Sequence, residues 1–198
     1  MSDHAFVGKA AEYAKGIRIL NQDSEEAFYS FVISQNNMIP RIKAIIERTC
    51  ALLGERREFK GREYFSFPTS AKLAEKDEKF FSDMGYGYRA KYMVELSRAA
   101  ADGKLDFSSL GKLPTKDLKK ALVSLKGVGP KVADCVSLFG YHRTDSFPVD
   151  TWIEKVYKED MGGALTDRKK ISERLVEEFK DKSGYIQQYV FYYKRARF

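Results

Sequence analysis

Two cysteines and five prolines in 198 residues rule out several kinds of chemistry before any motif is considered. Cys50 and Cys135 cannot supply a four-cysteine iron–sulfur site or a zinc tetrad. One disulfide would be a poor framework for a chain of this length, so a reduced protein is expected. No apolar run reaches the roughly 20 residues that span a bilayer. Met1–Ala10 lacks the basic start and apolar core of a secretory signal. The chain shows no internal repeat, low-complexity tract or long linker. The expectation is a soluble, intracellular protein, cytoplasmic or nucleoid-associated.

What is present is a hydrophobic share of 43%, enough for a real core, and 35 basic against 28 acidic residues, giving a formal charge of +7. A basic balance of that size suits a polyanionic partner, but many soluble proteins carry as much, so charge alone does not decide. The length fits one medium domain or two small lobes sharing a cleft.

Most segments read as helix, which predicts an all-α chain of about ten helices. Ser24–Ser34 reads as a helix, with Asp23 or Ser24 as a plausible N-cap. Pro40 sits in the first turn of a helix that Gly54 can stop. Helices are predicted over Asp77–Met84 and Tyr88–Ala101, with Gly85 and Gly103 as stops. Thr115 is expected to cap Lys116–Leu125, and Lys131–Phe139, Asp150–Lys158, Asp167–Lys180 and Ser183–Ala196 follow. Phe59–Phe67 reads as a loop or a short extended piece.

Leu125-Lys-Gly-Val-Gly-Pro-Lys131 is the most informative stretch. Two helices joined by Gly127-Val128-Gly129 can expose successive backbone N–H groups at a helix start, where amides and the helix dipole grip a phosphate without reading sequence. Gly127 and Gly129 permit positive φ and close backbone approach, and Val128 can plug the turn into the core. Lys131, in the first turn of the next helix, lies where the dipole disfavours an ammonium. A neutral amine there can attack a sugar C1′ and form a Schiff base. Read alone, Lys131 could equally be a solvated surface lysine, and Cys135, one turn on, a core residue. Asp150 follows Phe147-Pro148-Val149 and is placed to cap a helix. A carboxylate near C1′ would also stabilise the cation that develops as a glycosidic bond breaks.

Residues 125–150 resemble the helix-hairpin-helix, Gly/Pro-Asp superfamily of DNA glycosylases, and within it the eukaryotic-type 8-oxoguanine glycosylase/lyases. Three further motifs carry the narrower likeness: Ser34-Gln-Asn-Asn-Met-Ile-Pro-Arg-Ile42, Gly85-Tyr-Gly-Tyr-Arg-Ala-Lys-Tyr92 and Gln188-Tyr-Val-Phe-Tyr192. The resemblance implies one glycosylase domain over residues 1–198, with the helix-hairpin-helix at about 115–140. The N- and C-terminal helices would form the second lobe, and DNA would lie in the cleft between lobes. It also implies a monomer acting on damaged double-stranded DNA, with the target base flipped into a pocket.

By position, Lys131 resembles the nucleophile and Asp150 its electrostatic and proton-handling partner. Gln188 resembles the amide that reads the flipped base, with Tyr192 and Cys135 at the faces of that base and Trp152 at the pocket. Asn36 resembles the residue filling the vacated stack, Tyr88 the wedge, and Arg41 and Arg89 the pair that reads the orphan cytosine. Carbonyls of Val123, Leu125 and Val128 would hold a monovalent cation against a phosphate. No other cofactor is implied.

Two departures stand out. Only 33 residues precede Ser34, where such enzymes carry a β-rich domain whose backbone helps to distinguish 8-oxoguanine from guanine. Trp152 stands where the family has histidine, and Tyr192 where it usually has phenylalanine. The basic end Lys194–Phe198 could replace the lost contact. Rival readings are a glycosylase for another oxidised or alkylated base, and a non-catalytic helix-hairpin-helix module that only binds DNA.

Overall fold

The computed structural model describes residues 5–197. They form two compact units. Gln22–Val128 make up one, and residues up to Asn21 together with those from Gly129 onward make up the other.

The central unit begins with α2 (Ser24–Ser34), whose N-cap is Asp23; its carboxylate accepts from the Glu26 N–H at 2.9 Å. Then come α3 (Ile39–Leu53), the strands β1 (Arg56–Phe59) and β2 (Arg62–Phe65), and the short helices α4 (Ser70–Ala74) and α5 (Glu78–Asp83). A 3-10 turn over Gly87–Arg89 leads into α6 (Ala90–Ala101), followed by α7 (Phe107–Gly111) and α8 (Thr115–Val123). Phe28, Tyr29, Ile33, Phe81, Tyr86 and Met93 are fully buried. Their two phenols are satisfied by buried hydroxyls, Tyr29 by Ser70 and Tyr86 by Thr49, each at 2.7 Å, as a buried polar group requires. Burial pushes the Tyr86 phenol up to about 12.

The second unit holds α1 (Ala5–Tyr13), α9 (Pro130–Gly140), α10 (Thr151–Glu159), α11 (Arg168–Phe179) and α12 (Ser183–Arg195). Val7 and Ala10 of α1 join a core built on Phe147, Ile153, Ile171, Leu175 and Val190. No helix among the described residues is long and apolar enough to cross a membrane.

The mainly helical architecture agrees with the sequence reading, with four differences. Phe59–Phe67 is not a loop: β1 and β2 pair antiparallel across a Lys60-Gly61 turn in which both residues have positive φ, 51° and 72°. All eight strand residues are exposed, so the sequence offered no inside-outside alternation to reveal them. Thr115 does not cap α8 but is its first residue, because the extended backbone of Pro114 (φ −57°, ψ 151°) ends just before it. Helices α4 and α7 have five residues each, too short to show a period. The fourth difference is α1, unanticipated because its buried stripe comprises only Val7 and Ala10.

Candidate active site

The hairpin follows from local backbone chemistry. After α8, the Leu125 N–H returns to the Leu122 carbonyl and the Val128 N–H to the Leu125 carbonyl, both at 3.1 Å. Gly127 takes φ +82°, and a Cβ there would meet the Tyr92 ring at 2.5 Å, so this position requires glycine on two grounds. Gly129 differs from the expectation. Its φ of −90° and ψ of 172° suit any residue and nothing lies within 4 Å of an added Cβ; its role is to cap α9 ahead of Pro130. Val128 is buried, as a plug should be.

Lys131 is the second residue of α9, and one turn on lies Cys135, buried at 4% exposure. Burial pushes the Cys135 thiol up to about 11. Lys131 opposes that shift through its charge and a hydrogen bond to the sulfur, while Asp134 and Asp150 add to it. These influences place Lys131, Cys135 and Asp150 within one electrostatic neighbourhood, although two helices contribute them. A buried neutral thiol is an apolar, polarisable surface rather than a nucleophile. Asp150 is the N-cap of α10, with Oδ1 accepting the Ile153 N–H at 2.9 Å. One of its oxygens is thereby spent on the helix, which fixes the direction of the carboxylate. Trp152, two residues on, keeps 40% of its surface exposed.

From α12 come Gln188, half-buried, and Tyr192, one turn on and half exposed. The Tyr192 ring packs against Tyr13 of α1, with centroids 5.7 Å apart, a neighbour the sequence did not suggest. Gln188 Nε2 donates to Gln187 Oε1 at 2.6 Å, and Gln187 Nε2 donates to the Pro148 carbonyl at 3.2 Å. Gln187 was also missed. The signal was there to read: it falls on the buried stripe of α12 with Ser183, Val190 and Lys194, where a glutamine needs a reason. The basic end is partly tied down. Lys194 is buried and paired with Asp160 at 2.6 Å, Arg195 ends α12, and Arg197 lies over the Tyr193 ring at 4.5 Å. Phe198 lies outside the described residues.

The central unit carries the other predicted residues. Asn36 is exposed at φ +43°, a conformation asparagine tolerates better than most residues. Arg89 is buried, and its nitrogens donate to the carbonyls of Gln35, Asn36 and Tyr86, the last two at 2.9 and 3.1 Å. Its guanidinium stacks 4.4 Å from the Tyr88 ring. Arg41 is exposed, with Nη2 bonded to the Gly85 carbonyl at 3.0 Å. The structure thus separates the two arginines that the sequence treats as a pair: Arg89 braces the Asn36 turn, while Arg41 reaches outward. Tyr88 is half exposed.

Among the described residues no group of histidine, cysteine, aspartate and glutamate could hold a metal ion. Val123 is the last residue of α8, and the Leu125 carbonyl in the turn that follows accepts the Val128 N–H at 3.1 Å.

A mainly helical chain with a glycine hairpin, a lysine at the next helix start and an aspartate that caps the following helix defines a class. The chain belongs to the HhH-GPD superfamily of base excision DNA repair proteins, whose profile matches residues 29–182. It is 37% identical over 171 residues to an N-glycosylase/DNA lyase of Saccharomyces cerevisiae, with 80% of this chain and 45% of that protein covered. Against the N-glycosylase/DNA lyase OGG1 of Arabidopsis thaliana it is 31% identical over 195 residues, covering 93% and 53%. The crystal structure of a Clostridium acetobutylicum 8-oxoguanine glycosylase/lyase, in complex with DNA containing cytosine opposite 8-oxoguanine, superposes with a TM-score of 0.92 at 38% identity. That match covers 97% of this chain and 66% of the other. The chain spans about half the length of these two curated relatives.

Proposed function

We propose that this chain is a DNA glycosylase with β-elimination lyase activity that removes 8-oxoguanine, preferentially opposite cytosine, from double-stranded DNA. The observation that carries the reading is the placement of Lys131 in the first turn of α9, one turn before the buried Cys135, with Asp150 fixed as the cap of α10. The Lys131 amine attacks C1′, and the base departs with the electrons of the glycosidic bond. Asp150, held by its cap bond, faces the positive charge that develops on the sugar. The C1′–O4′ bond of the resulting aminal then breaks, its electron pair and a proton from the amine going to O4′, and the nitrogen lone pair completes a Schiff base to C1′. Loss of a C2′ proton from it expels the 3′ phosphate, and water releases the enzyme. Gln188 reads the pairing edge of the flipped base while Cys135 and Tyr192 flank its faces. Arg41 addresses the orphan cytosine, Arg89 holds the turn that presents Asn36, Asn36 fills the stack and Tyr88 wedges it. The hairpin binds a backbone phosphate, with a monovalent cation at the carbonyls of Val123, Leu125 and Val128.

Borohydride trapping on duplexes with 8-oxoguanine opposite cytosine tests this directly. Wild type should give a covalent protein–DNA adduct and Lys131→Gln none, while Lys131→Gln still binds the lesion duplex. Undiminished trapping in the variant would move the nucleophile to another amine. Faster release of thymine glycol or an alkylated purine under single-turnover conditions would reassign the substrate and leave the lysine chemistry standing.

A further inference from the structure

Gln187 has no part in the chemistry above, yet it is a buried polar side chain at 5% exposure with both ends of its amide engaged. Its two bonds impose an order. The Pro148 carbonyl can only accept, so the end of Gln187 that faces it must be the NH2 group. The Oε1 of Gln187 then faces Gln188, and an oxygen there accepts only from the NH2 of Gln188. One backbone oxygen therefore settles the orientation of two consecutive amides. Gln188 is left with its Oε1, an acceptor, as its outer face.

We propose that Gln187 is a positioning residue for lesion recognition: it locks the Gln188 amide so that Oε1 meets the N1–H and N2 amino donors of a guanine-type pairing edge. An unlocked amide rotates between acceptor-out and donor-out forms and presents the wrong group part of the time. The donor-out form would leave buried donors facing donors, a mismatch with a real cost. Pro148 lies two residues before Asp150, so the same amide also ties the base reader to the segment that carries the catalytic carboxylate. The proposal rests on the reading of Gln188 as the group that meets the flipped base.

The test uses the full chain and three substrates. These are a duplex with 8-oxoguanine opposite cytosine, the same duplex with 8-oxohypoxanthine, which lacks the N2 amino group, and a duplex with a preformed abasic site. Gln187→Met keeps the volume of the side chain and removes both hydrogen bonds. It should lower single-turnover excision of 8-oxoguanine by roughly ten- to a hundred-fold, the scale of a misplaced contact group. It should also pull the 8-oxoguanine to 8-oxohypoxanthine rate ratio towards one. Nicking of the abasic duplex, where no base remains to be read, should stay within about three-fold of wild type. Gln187→Glu keeps an acceptor for the Gln188 NH2 and should restore part of the ratio. Gln188→Ala should lose the ratio by itself, and adding Gln187→Met to it should cost nothing more.

An unchanged ratio in Gln187→Met beside a lost ratio in Gln188→Ala would overturn the locking role and spare the base-reading one. An unchanged ratio in Gln188→Ala would overturn both. Parallel loss of excision and abasic-site nicking in Gln187→Met would show that Gln187 serves the fold or Asp150, and would equally overturn the proposal.

Discussion

Gly127→Ala and Gly129→Ala, two substitutions that look equivalent in the Gly-Val-Gly hairpin, should differ sharply. At Gly127 the backbone sits at φ +82°, which costs an L-residue about 1–2 kcal/mol. The new methyl would also come within 2.5 to 2.8 Å of three Tyr92 ring carbons, and the overpacking adds about 1–3 kcal/mol. Together these predict a loss of about 2–5 kcal/mol, a large part of a domain's stability. At Gly129 the backbone is ordinary and the space is open. Alanine is a poorer cap than glycine but restricts the unfolded chain, and the two effects should leave Gly129→Ala within about 1 kcal/mol of wild type. Urea unfolding of both variants measures the difference. Adding Tyr92→Ala should recover the steric share and leave the backbone share, which a double-mutant cycle separates. Duplex affinity at fixed salt should fall for Gly127→Ala as the hairpin amides are displaced. Equal stabilities for the two single variants would refute the reasoning.

Asp150→Asn should keep the α10 cap, since an amide oxygen can still accept the Ile153 N–H, and slow base excision far more than it weakens DNA binding. Near wild-type single-turnover excision by folded protein would reduce Asp150 to a cap. Arg89→Ala should cost about 2–4 kcal/mol of stability by orphaning the carbonyls of Gln35, Asn36 and Tyr86, whereas exposed Arg41→Ala should cost under about 1 kcal/mol and show its effect in opposite-base preference. Similar melting temperatures for the two would contradict the brace. Alkaline stability should depend on Cys135. Its thiol stays protonated in the fold up to about 11 against 9.0 in the unfolded chain, so the unfolded state loses its proton first and stability falls as pH rises through that window. Cys135→Ala should flatten the fall, by at most about 2–3 kcal/mol between the two limits; an unaltered pH slope would place the alkaline loss elsewhere, with Tyr86 the next candidate.

Several local signals are legible in the chain itself, although Thr115 is the first residue of α8 and not its cap, and the caps of α4 and α7, Thr69 and Asp106, are equally local but were not read. Asp23, Asp77, Asp150 and Asp167 each accept an N–H three residues on, a bond set by backbone geometry and needing nothing distant. The helix-hairpin-helix, Lys131 at the helix start and Cys135 one turn later were readable for the same reason. What only the tertiary structure decided depends on groups far apart in sequence. Tyr92 makes Gly127 obligatory as glycine while Gly129 is not. The Gln35 and Asn36 carbonyls, more than fifty residues away, turn Arg89 from a reaching side chain into a brace. Asp160 and Glu159 draw Lys194 out of the basic end. Pro148, thirty-nine residues before Gln187, determines which way two glutamines face. Burial is the common reason: once water is excluded, each polar group must take whatever partner the fold supplies, and no short stretch of chain specifies that partner.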